Sequence, residues 1–124
     1  MNKAELFIDC KNKLGEGITW DHDDQTLYWL DIPMPSKLYK HNLETNNTLQ
    51  FDMPEMITAM AIRQNNDVLI ASHYGINNFN TTNKKFSKIL DLETEKPNNR
   101  CNDGAADFLG NFWVGTCLLY TSPS

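Results

Sequence analysis

One arrangement of residues recurs three times in this chain of 124 residues and limits what it can fold into. Gly17-Ile18-Thr19-Trp20-Asp21 leads through a polar turn into Leu27-Tyr28-Trp29-Leu30-Asp31. Met60-Ala61-Ile62-Arg63 leads through Gln64-Asn65-Asn66-Asp67 into Val68-Leu69-Ile70-Ala71-Ser72. Ala105-Ala106-Asp107 leads through Phe108-Leu109-Gly110-Asn111 into Phe112-Trp113-Val114-Gly115-Thr116. From Asp21 to Arg63 to Asp107 the steps are 42 and 44 residues. Each run is short and rich in β-branched or aromatic residues, which suits strands, and no window keeps apolar residues at helical spacing for three turns. Two further pairs of runs flank Asn-rich turns. Leu38–His41 and Thr48–Phe51 surround Glu44-Thr45-Asn46-Asn47, and Ile76–Phe79 and Phe86–Leu90 surround Thr81-Thr82-Asn83-Lys84. Asn tolerates the positive φ of such turns.

A period near 40–45 residues with about four strands per unit is the pattern of a β-propeller. Evenly spaced strands of an all-β sandwich are the alternative. The expected fold class is all-β, a propeller of which about the first two and a half blades are present. Propellers close with four to eight blades, so the chain reads as truncated. The pattern stops after Gly115-Thr116-Cys117. Residues 1–117 are expected to form the N-terminal part of a single propeller domain, with 118–124 an off-pattern tail of foreign sequence.

Charge narrows the partners. Lys and Arg number 11 against 16 Asp and Glu, a net charge of −5. Nucleic acid is not expected, since phosphate binding needs a surplus of Lys and Arg. No stretch approaches the roughly 20 apolar residues of a membrane span, and Met1–Leu6 has no apolar core of a secretory signal. Cys10, Cys101 and Cys117 are odd in number and form no C-x-x-C, so reduced thiols and a cytoplasmic setting are expected.

Two segments hold candidate chemistry. Leu14-Gly15-Glu16-Gly17 sets one acid between two glycines immediately before a strand, either a hard-metal ligand or a solvated turn. In Asn99-Arg100-Cys101-Asn102-Asp103-Gly104, alternation puts Arg100 and Asn102 on one face and Cys101 and Asp103 on the other, with Asp103-Gly104 a turn or bulge. Arg and Asn together offer donors and an acceptor for a polyhydroxylated or carboxylated ligand, or else form a structural polar loop. His22, His41 and His73 share no metal-ligand spacing. Trp20, Tyr28, Trp29, Phe112 and Trp113 are expected to pack between blades.

The two motifs, Leu14-Gly15-Glu16-Gly17-Ile18-Thr19-Trp20 and Asn99-Arg100-Cys101-Asn102-Asp103-Gly104-Ala105-Ala106-Asp107, resemble those of the gluconolactonase family, which includes regucalcin (senescence marker protein) and bacterial lactonases. The resemblance runs from about residue 5 to residue 117. It implies a six-bladed propeller with a divalent metal in the central channel, and metal-dependent hydrolysis of a sugar lactone. By position it makes Glu16 a metal ligand and Arg100 and Asn102 substrate-binding residues. The family's further Asn ligand and its Asp general base lie beyond this chain, so it implies no catalytic residue here. An acidic substrate contact expected after Gly115-Thr116 is absent, since Cys117-Leu118-Leu119-Tyr120 follows. The implied cofactor is one divalent ion, Ca²⁺, Zn²⁺, Mg²⁺ or Mn²⁺, and the implied partner a small sugar lactone. The chain alone is expected to be inactive. The alternative is a non-catalytic propeller that binds calcium or another ligand, because propellers host many functions.

Overall fold

The computed structural model describes residues 2–119. Among them are ten strands and no helix. Sheet 1 comprises β1 (Gly15–Asp21), β2 (Thr26–Asp31), β3 (Lys37–Asn42) and β4 (Asn47–Asp52). Sheet 2 comprises β5 (Ile57–Ile62), β6 (Asp67–Ser72), β7 (Gly75–Asn80) and β8 (Phe86–Asp91). Sheet 3 is the hairpin of β9 (Asn99–Ala106) and β10 (Phe112–Leu118). Every hydrogen-bonded neighbour is also a sequence neighbour, and every pair is antiparallel. The three equivalent runs of the sequence are β2, β6 and β10, each second in its own sheet. The first strands lie side by side, β1 against β5 and β5 against β9. That is the arrangement of consecutive propeller blades around an axis, and it removes the sandwich alternative.

Short polar side chains close the turns. Asn42 Oδ1 accepts the N–H groups of Glu44 and Thr45, both at 2.9 Å. Asn80 Oδ1 accepts those of Thr82 and Asn83 at the same distance. The repeat thus extends to a side chain that mimics a backbone turn at one place in both sheets. Asp21 and Asp107 play the corresponding part in the inner hairpins of sheets 1 and 3.

Strand alternation divides the core. Val68 and Ile70 of β6 join Tyr28, Leu30, Leu38 and Phe51 between sheets 1 and 2. Leu69 and Ala71 turn the other way and pack with Ile76, Cys101, Phe112 and Val114 between sheets 2 and 3. Sheet 2 is therefore buried on both faces, which is why β5 and β6 are apolar at consecutive positions. Enclosure of one such side chain, Ile70, contributes about 1.5–3 kcal/mol.

Three expectations need correction. The inner strands begin earlier than the apolar runs, so Glu16 is the second residue of β1 and not a residue before it. Backbone pairing with β2 requires no apolar side chain, and Gly15 and Glu16 already oppose Asp31 and Leu30. The tryptophans do not pack between blades. Trp29 stacks on Tyr39 of its own sheet at 5.1 Å, while Trp20 and Trp113 are exposed. Leu, Ile, Val and Phe fill the space between sheets instead. Finally, β10 continues through Leu118, whose backbone pairs with Asn99, and the Leu119 N–H donates to the Asn98 carbonyl at 2.8 Å. The pairing outlasts the side-chain pattern, so the strand passes the expected boundary at 117. Residues 120–124 of the expected tail lie outside the described residues. All three cysteines are free, Cys101 buried and the others half-buried. No helix among the described residues is long and apolar enough to cross a membrane.

Candidate functional site at the start of the inner strands

Each inner strand carries one extra residue against its neighbour. In β1 the register runs Gly15↔Asp31 and Glu16↔Leu30, then resumes at Thr19↔Tyr28. In β5 it runs Ile57↔Ser72 and resumes at Ala59↔Ala71. In β9 it runs Cys101↔Thr116 and resumes at Gly104↔Val114. Glu16, Thr58 and Asn102 each follow the equivalent pair, Gly15–Asp31, Ile57–Ser72 or Cys101–Thr116, at the entrance to the irregularity. Such bulges bend a strand and re-aim its side chains, and they concentrate at the rims of barrels and beside functional sites. They also explain why Ile57 and Met60, of opposite parity, face the same core.

Glycine makes two of these bends feasible. Gly17 has φ +69°, a left-handed conformation that costs an L side chain energy, and a Cβ there would meet Leu30 at 3.3 Å. A Cβ on Gly104 would stand 2.8 Å from the Trp113 carbonyl oxygen and 3.3 Å from Ala59 Cβ. Its absence lets β9 approach β5.

The second strands tie down the segments that lead into the inner strands. Asp31 is buried, and its carboxylate accepts the N–H groups of Leu14 at 2.9 Å and Lys13 at 3.2 Å. At the equivalent place Ser72 donates to the Glu55 carboxylate. In sheet 3 the Thr116 hydroxyl bears on Glu93, whose carboxyl is held below its ordinary value first by Asn99 and then by Thr116. One register position thus positions the approach to Glu16, Thr58 and Asn102 in turn.

The structure brings Arg100 and Asn102 together, with Arg100 Nη2 3.5 Å from Asn102 Oδ1. Cys101 lies on the opposite face, buried against sheet 2, and burial pushes its thiol up, with Glu93 and Glu55 adding to the effect. Arg100 Nη1 rests on the Met56 sulfur at 3.1 Å, and its Nε is buried without a partner. Asp103 is exposed and accepts the Gly104 N–H at 2.8 Å. Glu16 stands on β1, separated from β9 by β5, and no hydrogen bond or ion pair joins it to Arg100 or Asn102.

The glutamate is exposed and engaged by no other side chain among the described residues. Its carboxylate and the amide oxygen of Asn102 are hard donors, suited to a calcium- or magnesium-like ion. They fit part of a coordination shell. No group of three or more His, Cys, Asp or Glu side chains able to hold a metal occurs among the described residues. A groove of about 460 Å³ reaches Glu16 from the outer face of sheet 1, lined also by Leu6, Ile8, Ile18 and Trp29, but includes neither Arg100 nor Asn102.

The pattern reading did not find the bulges, Met56 or Thr58. The signal was present in the period, since steps of 42 and 44 from Glu16 reach Thr58 and Asn102.

Known proteins share this architecture. L-arabinolactonase of Azospirillum brasilense is 34% identical over 116 residues, covering 91% of this chain and 37% of that protein. The solved structure of a calcium-binding protein, regucalcin, from Agrobacterium tumefaciens superposes with a TM-score of 0.78 and 31% identity, covering 86% of this chain and 36% of that one. A luciferin-regenerating enzyme gives 0.81 and 26%, covering 88% and 38%. The chain therefore spans a little over a third of the length of these proteins. The family described as SMP-30/Gluconolactonase/LRE-like region matches residues 14–123. With that match and the blade arrangement above, the chain belongs to the SMP-30/gluconolactonase/LRE-like family.

Proposed function

We propose that the whole protein hydrolyses a sugar lactone, and that this chain supplies part of the substrate pocket and one ligand of a divalent cation. The observation that carries the reading is the Arg100–Asn102 pair, whose guanidinium has a buried, unpartnered Nε–H in a family whose named members include lactonases. A buried donor without a partner costs about 1–3 kcal/mol, and an oxygen-rich ligand removes that cost. Arg100 and Asn102 orient the sugar oxygens, and the bulge after Cys101 fixes where they point. Glu16 contributes one oxygen to the cation. Such an ion polarises a carbonyl and makes bound water acidic. None of the described residues is assigned as the general base. Residues 1–124 alone are proposed to be inactive, because Glu16 is the one carboxylate among the described residues that this reading assigns to the cation. Cytoplasmic residence and independence from nucleic acid belong to the same reading, supported by three free thiols and a net charge of −5.

The test is acid release from gluconolactone and arabinolactone by the full-length protein, with and without chelator. Turnover abolished by chelator and restored by a divalent salt supports the proposal. Tight calcium binding without turnover of either lactone would replace it with the non-catalytic reading.

A further inference from the structure

Asp31 ends β2 and stands directly opposite Gly15 of β1. It is 8% exposed, and both of its carboxylate oxygens accept from the backbone. Oδ1 takes the Leu14 N–H at 2.9 Å, and Oδ2 takes the Lys13 N–H at 3.2 Å. The Leu14 carbonyl accepts the Ile32 N–H at 3.2 Å. Two consecutive residues are therefore tied to the end of β2 by three hydrogen bonds, and Glu16 follows two residues later. On the other side of Glu16 is Gly17, with φ +69° and so little room that a Cβ would meet Leu30 at 3.3 Å. Leu30 is also the register partner of Glu16. The backbone that carries the glutamate is thus held from both sides by bonds and packing within its own sheet and entry segment.

The other two sheets use this register position differently. Ser72 and Thr116 stand there, opposite Ile57 and Cys101. Each is a neutral hydroxyl bearing on a glutamate side chain, Glu55 or Glu93. In sheet 1 the polarity is reversed. The acid sits on the second strand and grips the entering backbone at two places. An ionised carboxylate can accept both N–H groups at once, and such charge-assisted bonds are about twice as strong as neutral ones. This double grip stands ahead of Glu16, the one acid among the equivalent residues Glu16, Thr58 and Asn102.

We infer that Asp31 is a positioning residue for cation binding: by holding Lys13 and Leu14 it presets where the Glu16 carboxylate stands, and it raises affinity for a divalent cation without touching it. This role depends on the reading of Glu16 as a cation ligand and not on lactone hydrolysis. A ligand group whose backbone is already fixed loses less freedom on binding. Groups that hold metal ligands from behind contribute about 10–100-fold in affinity. Asp31 acts through two intervening residues, which places its effect at the lower end of that range.

The test is calorimetry on the full-length protein, stripped with chelator and titrated in separate series with calcium chloride and manganese chloride. The salt bound more tightly is used for the variants. Asp31→Ala is expected to raise Kd about tenfold at unchanged stoichiometry. A protein that is only destabilised binds fewer equivalents at the same Kd, so the two parameters separate positioning from folding. Asp31→Asn keeps an acceptor oxygen for Leu14 and should recover most of the loss. Asp31→Ser, the side chain found at this register in sheet 2, should fall between them and carries the test if the alanine variant does not fold. Ser72→Ala removes the equivalent hydroxyl of sheet 2 and should leave Kd unchanged.

An unchanged Kd in the Asp31 variants, where Glu16→Gln weakens binding, overturns the inference and leaves Glu16 as a ligand. So does a rise in Kd as large in Ser72→Ala as in Asp31→Ala, since the effect is then not directed at Glu16. An asparagine variant as weak as the alanine one shows that the hydrogen bonds do not carry the effect, and overturns it too. The expected pattern in a protein that opens no lactone supports the inference and overturns the lactonase reading. Affinity indifferent to Glu16→Gln, or binding of neither salt, removes the cation role of Glu16 and the inference with it.

Discussion

Glu16 and Asn102 occupy the same register position in two different sheets, each one residue past the pair formed with Asp31 or Thr116. They are 86 residues apart in sequence. Two carboxamide or carboxylate oxygens at one height on strands around a common axis are the minimal geometry for a ligand held between blades. Thr58 holds the same position in the sheet between them but is buried, its hydroxyl 3.5 Å from the Ala71 carbonyl. The middle blade thus has a short side chain where its neighbours have longer polar ones.

Replacement of Glu16 by Gln keeps the shape and removes the charge. In the full-length protein this change is expected to lower lactone turnover at least about tenfold at limiting metal, through weaker cation binding. Initial rates across a metal titration read it, and partial recovery at high metal is expected. A rate indifferent to both substitution and metal would remove Glu16 from the site.

Asp31→Ala takes away the acceptor for two amides that lead into β1. Hydrogen bonds to a charged acceptor contribute about 1.5–3 kcal/mol, and the variant should lose stability on that scale. Urea unfolding measures the loss, and amide exchange at Leu14 should accelerate before the rest of sheet 1. Unchanged protection of Leu14 would show that the carboxylate does not hold this segment.

Legibility in the sequence followed the physics of each feature. Period-2 apolar runs depend on burial of one face or both, so β2, β6 and β10 were plain in the sequence. The starts of β1, β5 and β9 were not, because the backbone pairs of Gly15, Ile57 and Asn99 with Asp31, Ser72 and Leu118 lie outside any continuous apolar run. Glu16, Arg100 and Asn102 stand out by their motifs, but the position that Glu16 and Asn102 share emerges only from the register. The Met56 contact is a tertiary meeting of residues 44 apart. No local pattern encodes it.

Gly75 is required by close approach and not by an unusual φ. A Cβ there would stand 2.1 Å from the Leu90 carbonyl oxygen and 3.1 Å from Asp91 Cα, both backbone atoms that cannot move aside without opening the β7–β8 ladder. Gly75→Ala should destabilise by about 3 kcal/mol or prevent folding of sheet 2. Denaturant unfolding tests this, with Gly115→Ala as control, since a Cβ there meets nothing within 4 Å. Equal stability of the two variants would refute the argument.

Asp107 closes the β9–β10 turn and gives that hairpin a pH dependence. Its carboxyl is lowered from 3.8 to about 2, first by the Trp113 indole N–H, then by the Asn111 backbone N–H, the Asn111 side chain and the Leu109 N–H. The folded value lies below the unfolded one. The stabilisation is therefore complete above about pH 4 and disappears as pH falls toward 2. Asp67 and Glu93 are also lowered and contribute in the same direction, so the measure is a difference between two proteins. Asp107→Asn keeps an acceptor for the turn and cannot titrate. Its stability should fall less steeply than the wild type's between pH 4 and 2. The side chain of Trp113, which bonds to Asp107 Oδ2 at 3.0 Å, supplies a local fluorescence probe of the same step. Parallel acid profiles for the two proteins would mean that the carboxylate is not linked to folding of this hairpin.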